Sequence, residues 1–196
     1  EFSMQTHLIG GCAIEAQGHA LPEATQQACL AADAVLLGAV GGPQWSDPKA
    51  TVRPEQGLLQ LRALLNVFAN VRPVKVFARA AQFSPLKPER LAGVDFVFVR
   101  ELTGGVYFGS PKEIIDLGNG QKRGIDTQVY DTYEIERIAS VAFELARTRG
   151  NRVCSMEKRN VMKSGVLWNE VVTATHKAKY QDVKLEHMLA DAGGMQ

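Results

Sequence analysis

The chain has 196 residues, 45% hydrophobic and 22% charged, and its 22 Lys and Arg nearly balance its 21 Asp and Glu. This composition is typical of one large or two small globular domains. A net charge of +1 provides no concentrated basic face for nucleic acid, and no apolar run approaches the roughly 18–20 residues of a membrane span. Without a visible secretory leader, we expect a cytoplasmic protein whose three cysteines are small buried side chains.

The first third of the chain alternates helical and apolar segments. We expect residues 1–3 to lie in a strand, 22–32 in a helix, and 34–40 in a buried strand that ends at Gly41-Gly42-Pro43. Residues 54–68 are expected to form a second helix, because proline is favoured in the first turn of a helix.

In the rest of the chain we expect a strand over residues 94–99 and an exposed two-stranded arm over 113–130. These are followed by a helix over 131–149, a strand over 152–156, a helix over 165–178 and a last strand over 183–189. The arm follows from Asn119-Gly120, a strong signal for a tight hairpin turn. The long helix begins with a capping-box pair, Asp131 and Glu134. Such alternation is typical of an α/β protein with a mainly parallel sheet.

The helix over residues 54–68 carries two side-chain stripes, since successive residues turn by about 100°. The stripe that we expect to face the core consists of Leu61, Leu64, Leu65 and Phe68. The neighbouring stripe consists of Glu55, Leu58, Leu59 and Arg62. This second stripe is either an amphipathic edge or a pocket wall for a branched alkyl group and a carboxylate. Gly57 costs about 1 kcal/mol relative to Ala inside a helix, which suggests a close approach there.

Two further arginines lie at the ends of predicted elements, where their side chains can reach a ligand. Arg100 ends an apolar strand, and ligands of open α/β sheets collect at the carboxyl ends of strands. Arg72 follows the helix and precedes Pro73. A guanidinium can bind a carboxylate through two parallel hydrogen bonds, so convergence of both with Arg62 would suit a dianionic or trianionic organic acid. Taken singly, each arginine equally fits a surface charge.

Three other side chains could carry chemistry. Lys158 follows a predicted strand and is either a base or a solvated loop lysine. Tyr107 lies two residues after Gly105, where the glycine pair permits close backbone approach, and a lone tyrosine of this kind is usually a packing residue. Asp191 follows the last strand and could bind Mg²⁺ or Mn²⁺ through oxygen. Neither GxGxxG nor GxxxxGK occurs, so no phosphate-binding motif supports a cofactor role for Gly41-Gly42-Pro43.

A resemblance to a known family joins these residues. It is carried by residues 41–43, 53–59, 68–73, 100–109, 158–161 and 185–191. Together these segments resemble the β-decarboxylating dehydrogenases of the isocitrate/isopropylmalate family, and most closely its members acting on 3-isopropylmalate; the Arg100–Gly105 run is the most specific. The resemblance implies oxidative decarboxylation of 3-isopropylmalate to 4-methyl-2-oxopentanoate in leucine biosynthesis, with NAD⁺ and Mg²⁺ or Mn²⁺ as cofactors.

The resemblance also implies individual roles. The substrate carboxylates would be bound by Arg62, Arg72 and Arg100, and the isopropyl group would contact Leu58 and Leu59. The cofactor would lie against Gly42, Pro43, Glu55 and Asn160. Lys158 would help to deprotonate the C2 hydroxyl, and Tyr107 would protonate C3 after loss of CO₂. Asp191 would bind the metal beside the substrate.

The implied fold is isopropylmalate-dehydrogenase-like, with two domains around a mixed, mainly parallel sheet and a protruding two-stranded arm. Residues 1–67 would form part of the cofactor-side domain, and 68–196 a second domain with dimerisation helices. The implied partner is a second copy, into whose active site Lys158 and Asp191 reach. Family members carry an N-terminal Gly-rich loop and two later acidic metal ligands that are not found here, so we expect an inactive fragment lacking both ends.

Two alternatives remain open. A relative acting on D-malate, tartrate or isocitrate would need polar partners where Leu58 and Leu59 stand, because hydrogen-bonding sites discriminate far more strongly than apolar pockets. The other alternative is a non-catalytic module that dimerises through its helices without binding NAD.

Overall fold

A computed structural model of the chain describes residues 2–47 and 50–195. The chain divides into two compact units, Glu1–Val67 and Phe68–Gln196. The cofactor-side and dimerisation roles assigned above to the two parts of the chain stay predictions.

The regular secondary structure among the described residues of the first unit is helical. It contains α1 (Gly11–Gln17), α2 (Glu23–Ala31) and α3 (Pro54–Leu64), with a 3-10 turn at Pro43–Trp45. Helices α2 and α3 confirm the sequence prediction.

The strands predicted in the first unit are wrong. Glu1 lies outside the described residues, and neither Phe2 and Ser3 nor residues 34–40 belong to a strand. The apolar run at 34–40 finds no ladder partner among the described residues, and the side chain of Leu36 is 89% exposed. Without a neighbouring strand, its hydrophobic composition alone does not produce a sheet.

Helix α3 ends earlier than predicted and presents a narrower core face. It stops at Leu64, and Asn66 has a φ of 49°, a left-handed conformation that cannot continue a helix. Leu61 is buried, whereas Leu64 is exposed and Leu65 is only half-buried. Fewer side chains of the predicted core-facing stripe are therefore buried than its apolar composition suggests.

The close approach at Gly57 comes from the protein itself. A Cβ on Gly57 would lie 2.5 Å from the carbonyl oxygen of Ala20 and 2.8 Å from its carbon. The missing side chain therefore makes room for backbone, and the glycine is no sign of a bound ligand.

We expect Gly57→Ala to lower the free energy of unfolding by about 1–3 kcal/mol, the usual cost of overpacking. Helix propensity alone would give the opposite sign, a gain of about 1 kcal/mol. Denaturant titration measures the difference. Gly38→Ala is the control, since its Cβ would meet no atom within 4 Å. A Gly57→Ala protein as stable as wild type would mean that residue 20 moves aside freely.

The strands of the described residues all lie in the second unit and form three pairs. β1 (Ala69–Lys75) and β2 (Asp95–Glu101) are antiparallel, as are β3 (Lys112–Gly118) and β4 (Gln121–Asp126), whereas β5 (Arg152–Glu157) and β6 (Lys184–Leu189) are parallel. The helices are α4 (Pro88–Leu91), α5 (Thr132–Arg147), α6 (Lys163–Lys179) and α7 (Ala190–Gly193), with 3-10 turns at Ala78–Phe83 and Gly105–Tyr107. The mixed α/β class is confirmed, with parallel pairing limited to β5 and β6 in this part of the chain.

Strand β1 was not predicted. The sequence predicts Arg72 just after a helix, but the structure places it in this strand, with Pro73 opposite Val97. Proline removes a ladder donor and usually argues against a strand interior, which explains why the pattern was missed.

The two-stranded arm is confirmed. β3 and β4 are joined at Asn119 and Gly120, whose φ angles of 53° and 75° are both positive, as a type I′ hairpin turn requires. Most arm side chains are exposed, including Ile114 at 76%.

The core of the second unit lies where α5 and α6 pack against β5 and β6. Its buried cluster consists of Ile135, Ala139, Phe143, Ala146, Val172, Tyr180 and Val183. The Phe143 and Tyr180 rings stack with centroids 4.9 Å apart. The predicted start of α5 is confirmed, since the Glu134 carboxylate accepts a hydrogen bond from the N–H of Asp131 at 2.8 Å.

The structure also bears on the cysteines and on membrane-spanning helices. Cys12 and Cys154 are exposed free thiols, so the expectation of buried cysteines was wrong for both. Among the described residues, no helix has the length and apolarity to cross a membrane.

Candidate functional site

A cavity of about 390 Å³ lies in the second unit, beside the carboxyl half of β2. Its lining side chains come from β1, β2, β5, α6 and the residues before α5. They are Arg72, Phe98, Val99, Arg100, Glu101, Tyr130, Met156 and Trp168. The cavity therefore combines two guanidinium groups with an aromatic and apolar wall.

Strand pairing puts both arginines on one face. Arg72 stands opposite Phe98, and Asn70 stands opposite Arg100. Cross-strand partners share a face, as do residues two apart in a strand, so Arg72 and Arg100 are diagonal neighbours. The Nε of Arg72 donates to Asn70 Oδ1. In the part of the chain that is described, neither guanidinium forms an ion pair, which leaves both positive charges available to an anion.

Tyr107 lies beside this pair. The 3-10 turn that carries it brings the Arg100 guanidinium to 5.3 Å from the centroid of its ring, within cation–π range. The Lys112 Nζ lies 6.0 Å from the same centroid. The Tyr107 side chain is 49% exposed, so its phenol is accessible next to a concentration of positive charge.

The glycine pair before Tyr107 accommodates an aromatic ring. A Cβ on Gly104 would lie 2.9 Å from Tyr130 Cδ1, and one on Gly105 would lie 2.5 Å from the Tyr130 hydroxyl. Tyr130 packs edge-on against Trp168 with centroids 5.2 Å apart. Burial raises the pKa of Tyr130, and the nearby Glu101 carboxylate raises it further. Tyr130 thus stays a neutral phenol in the cavity wall.

Lys158 and Asp191 meet at the carboxyl ends of the parallel pair β5 and β6. Lys158 Nζ donates to Asp191 Oδ1 at 2.6 Å, and this bond lowers the pKa of the Asp191 carboxyl below its ordinary value. The lysine side chain is 29% exposed and the aspartate 64%. Asn160 lies in the exposed turn that follows Lys158. The two side chains that the sequence placed at strand ends are therefore in direct contact.

A metal site is incomplete here. Mg²⁺ takes near-octahedral oxygen coordination, usually with water and one or two carboxylates. Among the described residues, no three His, Cys, Asp or Glu side chains come together as metal ligands. Asp191 offers one carboxylate, already bonded to Lys158. The described residues therefore supply one carboxylate of such a site, that of Asp191, and further ligands would have to complete it.

The cofactor residues of the first unit partly come together. A Cβ on Gly41 would lie 3.6 Å from Glu55 Oε1, so the Gly41-Gly42-Pro43 loop lies against the first turn of α3. Gly42 is half-buried, and Pro43 and Glu55 are exposed. A carboxylate beside an accessible loop is compatible with a ribose-binding position.

The remaining predicted residues lie on α3. Leu58, Leu59 and Arg62 are all half-buried. Arg62 belongs to the first unit, whereas Arg72 and Arg100 belong to the second, so the convergence of all three arginines stays a prediction.

Sequence reasoning missed several residues of the cavity and its surroundings: Glu101, Tyr130, Arg137, Met156 and Trp168. Glu101 directly follows Arg100 in an otherwise apolar strand, and its buried side chain is 1% exposed. Arg137 stands between Ile135 and Ile138, two buried positions of α5. A charged residue beside such buried positions is the signal that could have revealed this pair, because buried charges require partners.

Sequence comparison places the chain among known proteins. Residues 1–196 match the isocitrate/isopropylmalate dehydrogenase family. The chain is 72% identical over 189 residues to a 3-isopropylmalate dehydrogenase from Rhizobium etli, covering 96% of the chain and 51% of that relative. It is 67% identical over 195 residues to one from Brucella suis, covering 100% of the chain and 53% of the relative.

Solved structures are similar as well. An isocitrate dehydrogenase from Methylococcus capsulatus superimposes with a TM-score of 0.77 at 27% identity, covering 96% of this chain and 52% of that one. A β-decarboxylating dehydrogenase from Thermococcus kodakarensis shares the fold with a TM-score of 0.63 at 24% identity, covering 95% and 48%. The chain spans about half the length of the curated relatives it matches.

Proposed function

The chain belongs to the isocitrate/isopropylmalate dehydrogenase family, and we propose that its gene product oxidatively decarboxylates 3-isopropylmalate to 4-methyl-2-oxopentanoate in leucine biosynthesis, reducing NAD⁺. The relatives named for this substrate support the choice. The observation that carries it is the pairing of Arg72 and Arg100 on one face beside a cavity.

The substrate is a dicarboxylate, and the arginines supply its binding energy. Arg72 and Arg100 would donate charge-assisted hydrogen bonds to the carboxylates, which are roughly twice as strong as neutral ones. Arg62 would be the third donor. Leu58 and Leu59 would contact the isopropyl group, because half-buried leucines offer apolar surface to a branched alkyl chain.

Two side chains would move protons. Lys158, which donates to Asp191 at 2.6 Å, would help to deprotonate the C2 hydroxyl after releasing one of its own protons to the aspartate or to solvent, since only the neutral amine can accept a proton. Tyr107 would donate its phenolic proton to C3 after CO₂ leaves, and the Arg100 guanidinium at 5.3 Å would stabilise the phenolate that remains. General acid–base groups of this kind typically contribute about 10²–10⁴-fold.

The proposal includes a cofactor, a metal and a second subunit. NAD⁺ would lie against Gly42, Pro43, Glu55 and Asn160. Mg²⁺ or Mn²⁺ supplies charge stabilisation at the C2 oxygen when bound, with Asp191 as one ligand. The functional unit would be a cytoplasmic homodimer in which the arm and the helices α5 and α6 meet the second copy, sharing Lys158 and Asp191 across the interface.

Turnover by the complete gene product tests the function. With NAD⁺ and Mg²⁺, we expect kcat/KM for 3-isopropylmalate to exceed that for D-malate at least about tenfold, because the isopropyl group binds an apolar pocket. NADH absorbance measures both rates. Faster D-malate turnover would favour the related substrate class, and binding of neither acid nor NAD⁺ would favour a non-catalytic dimerising module.

A further inference from the structure

The Glu101 carboxylate is buried and fully hydrogen-bonded. Its Oε2 accepts from the N–H groups of Thr103 at 2.9 Å and Gly104 at 2.6 Å. Its Oε1 accepts from Thr103 Oγ1 at 3.0 Å and from Arg137 Nη2 at 2.8 Å. Three of these four bonds come from Thr103 and Gly104, in the loop after β2.

That loop connects two residues of the proposed site. Arg100 directly precedes Glu101, and Tyr107 lies at the end of the 3-10 turn that the loop enters. The loop is also tied down by its backbone, because Leu102 N donates to Phe68 O at 2.9 Å and Gly105 N donates to Val129 O at 2.7 Å. The Glu101 carboxylate therefore lies at the centre of the connection between Arg100 and Tyr107.

Arg137 anchors this carboxylate to α5. Its guanidinium lies 4.5 Å from the Phe68 ring centroid and 5.2 Å from that of Tyr133, so its orientation is fixed on both sides. Nη2 also donates to Thr103 Oγ1. Nε is buried without a hydrogen-bond partner in the described part of the chain. Burying the Arg137 guanidinium with an unpaired Nε costs free energy. The ion pair therefore brings no clear advantage for stability, since proteins in which apolar residues replace a buried ion pair are often as stable as those that keep it.

The pair also sets the charge of the cavity. Glu101 lines the cavity beside Arg100, and an uncompensated carboxylate there would repel a bound dicarboxylate. Arg137 compensates this charge from the side of α5, so the positive potential of Arg72 and Arg100 remains available to the substrate.

We propose that Glu101 and Arg137 are positioning residues of the acid-binding site. They hold the loop at residues 102–107 so that the Arg100 guanidinium and the Tyr107 ring keep their mutual arrangement, and they touch no substrate themselves. This inference rests on the proposed function, which assigns Arg100 and Tyr107 their roles.

The principal variant is Glu101→Gln, which keeps the shape but replaces one acceptor oxygen by a donor. We expect the dissociation constant of 3-isopropylmalate, measured by calorimetry on the complete gene product, to rise about tenfold or more, since small misplacements of binding groups are costly. Amide hydrogen exchange at Thr103 and Gly104 should accelerate about tenfold or more, with smaller changes elsewhere.

Substitutions of Arg137 distinguish an effect on the position of the loop from a general loss of stability. Arg137→Lys, which keeps the charge, should retain more affinity than Arg137→Met. The double variant Glu101→Gln/Arg137→Met should lose less than the two single losses combined, because residues in direct contact are energetically coupled and the Glu101–Arg137 ion pair is then removed as a whole.

The matched control is Asp182→Asn. It breaks another pair made by α5, in which Asp182 Oδ1 lies 2.7 Å from Arg147 Nη2, and should leave the affinity unchanged. Wild-type affinity in Glu101→Gln, or exchange that accelerates uniformly through the second unit, would overturn the inference. If the wild-type gene product does not bind 3-isopropylmalate, the proposed function fails, and the exchange pattern decides the inference: acceleration confined to the loop supports it.

Discussion

Replacing Arg100 with methionine should weaken the binding of 3-isopropylmalate about 30-fold or more. Truncating one member of a hydrogen-bonded charge pair costs about 2–5 kcal/mol, and 2 kcal/mol corresponds to roughly 30-fold in the dissociation constant. The lower end of that range applies because Arg100 is exposed, and water screens an exposed charge. Calorimetry at low and high salt measures the loss directly, and the loss should shrink as salt rises.

Two comparisons make this measurement specific. Arg72→Met should weaken binding similarly, since Arg72 lies on the same face of the β1–β2 pair. Arg149→Met should bind like wild type, because Arg149 pairs with Asp95 and is not among the cavity-lining residues. Equal affinities of Arg100→Met and wild type would exclude this cavity as the acid-binding site.

Phe143→Ala should lower the free energy of unfolding of the second unit by about 3–5 kcal/mol, the usual cost of removing a buried phenylalanine. Phe143 is fully buried, stacks on Tyr180 and lies 5.5 Å from the His176 ring. Its removal therefore leaves a cavity between α5 and α6 that neighbouring rings cannot easily fill.

Denaturant unfolding followed by far-ultraviolet circular dichroism measures this loss. Phe83→Ala is the control, since its side chain is 83% exposed and surface substitutions usually change stability by less than about 0.5 kcal/mol. A loss below about 1 kcal/mol in Phe143→Ala would mean that α5 and α6 repack around the missing ring.

Elements marked by several local signals were predicted well. Helix α5 has a capping-box pair and a regular apolar repeat, and the arm has Asn119-Gly120 at its turn. These signals act within a few residues of each other and need no distant partner. The positions of Lys158 and Asp191 after a strand were also predicted from local apolar runs, whereas their contact depends on the parallel pairing of β5 and β6.

Elements that depend on distant partners were predicted poorly. Residues 34–40 and 94–99 are both apolar, yet only the second lies largely in a strand, because β1 pairs with it. The shared face of Arg72 and Arg100 depends on the register of that pairing, and a shift of one residue would reverse it. Tyr130 was missed for a related reason: its contact with Gly104 and Gly105 joins segments that no local pattern relates.

The snug fit of Tyr130 against Gly104 and Gly105 has a consequence for comparing sequences. A methyl group at either glycine would displace the aromatic ring, so selection for a well-packed interior can preserve the doublet even after enzymatic competence is lost. An inactive descendant would therefore still retain the two glycines. Its arginines pack against no such ring, so they would be replaced more readily by other residues. Arg72 and Arg100 are thus better markers than the glycines for distinguishing catalytically active family members from inactive ones.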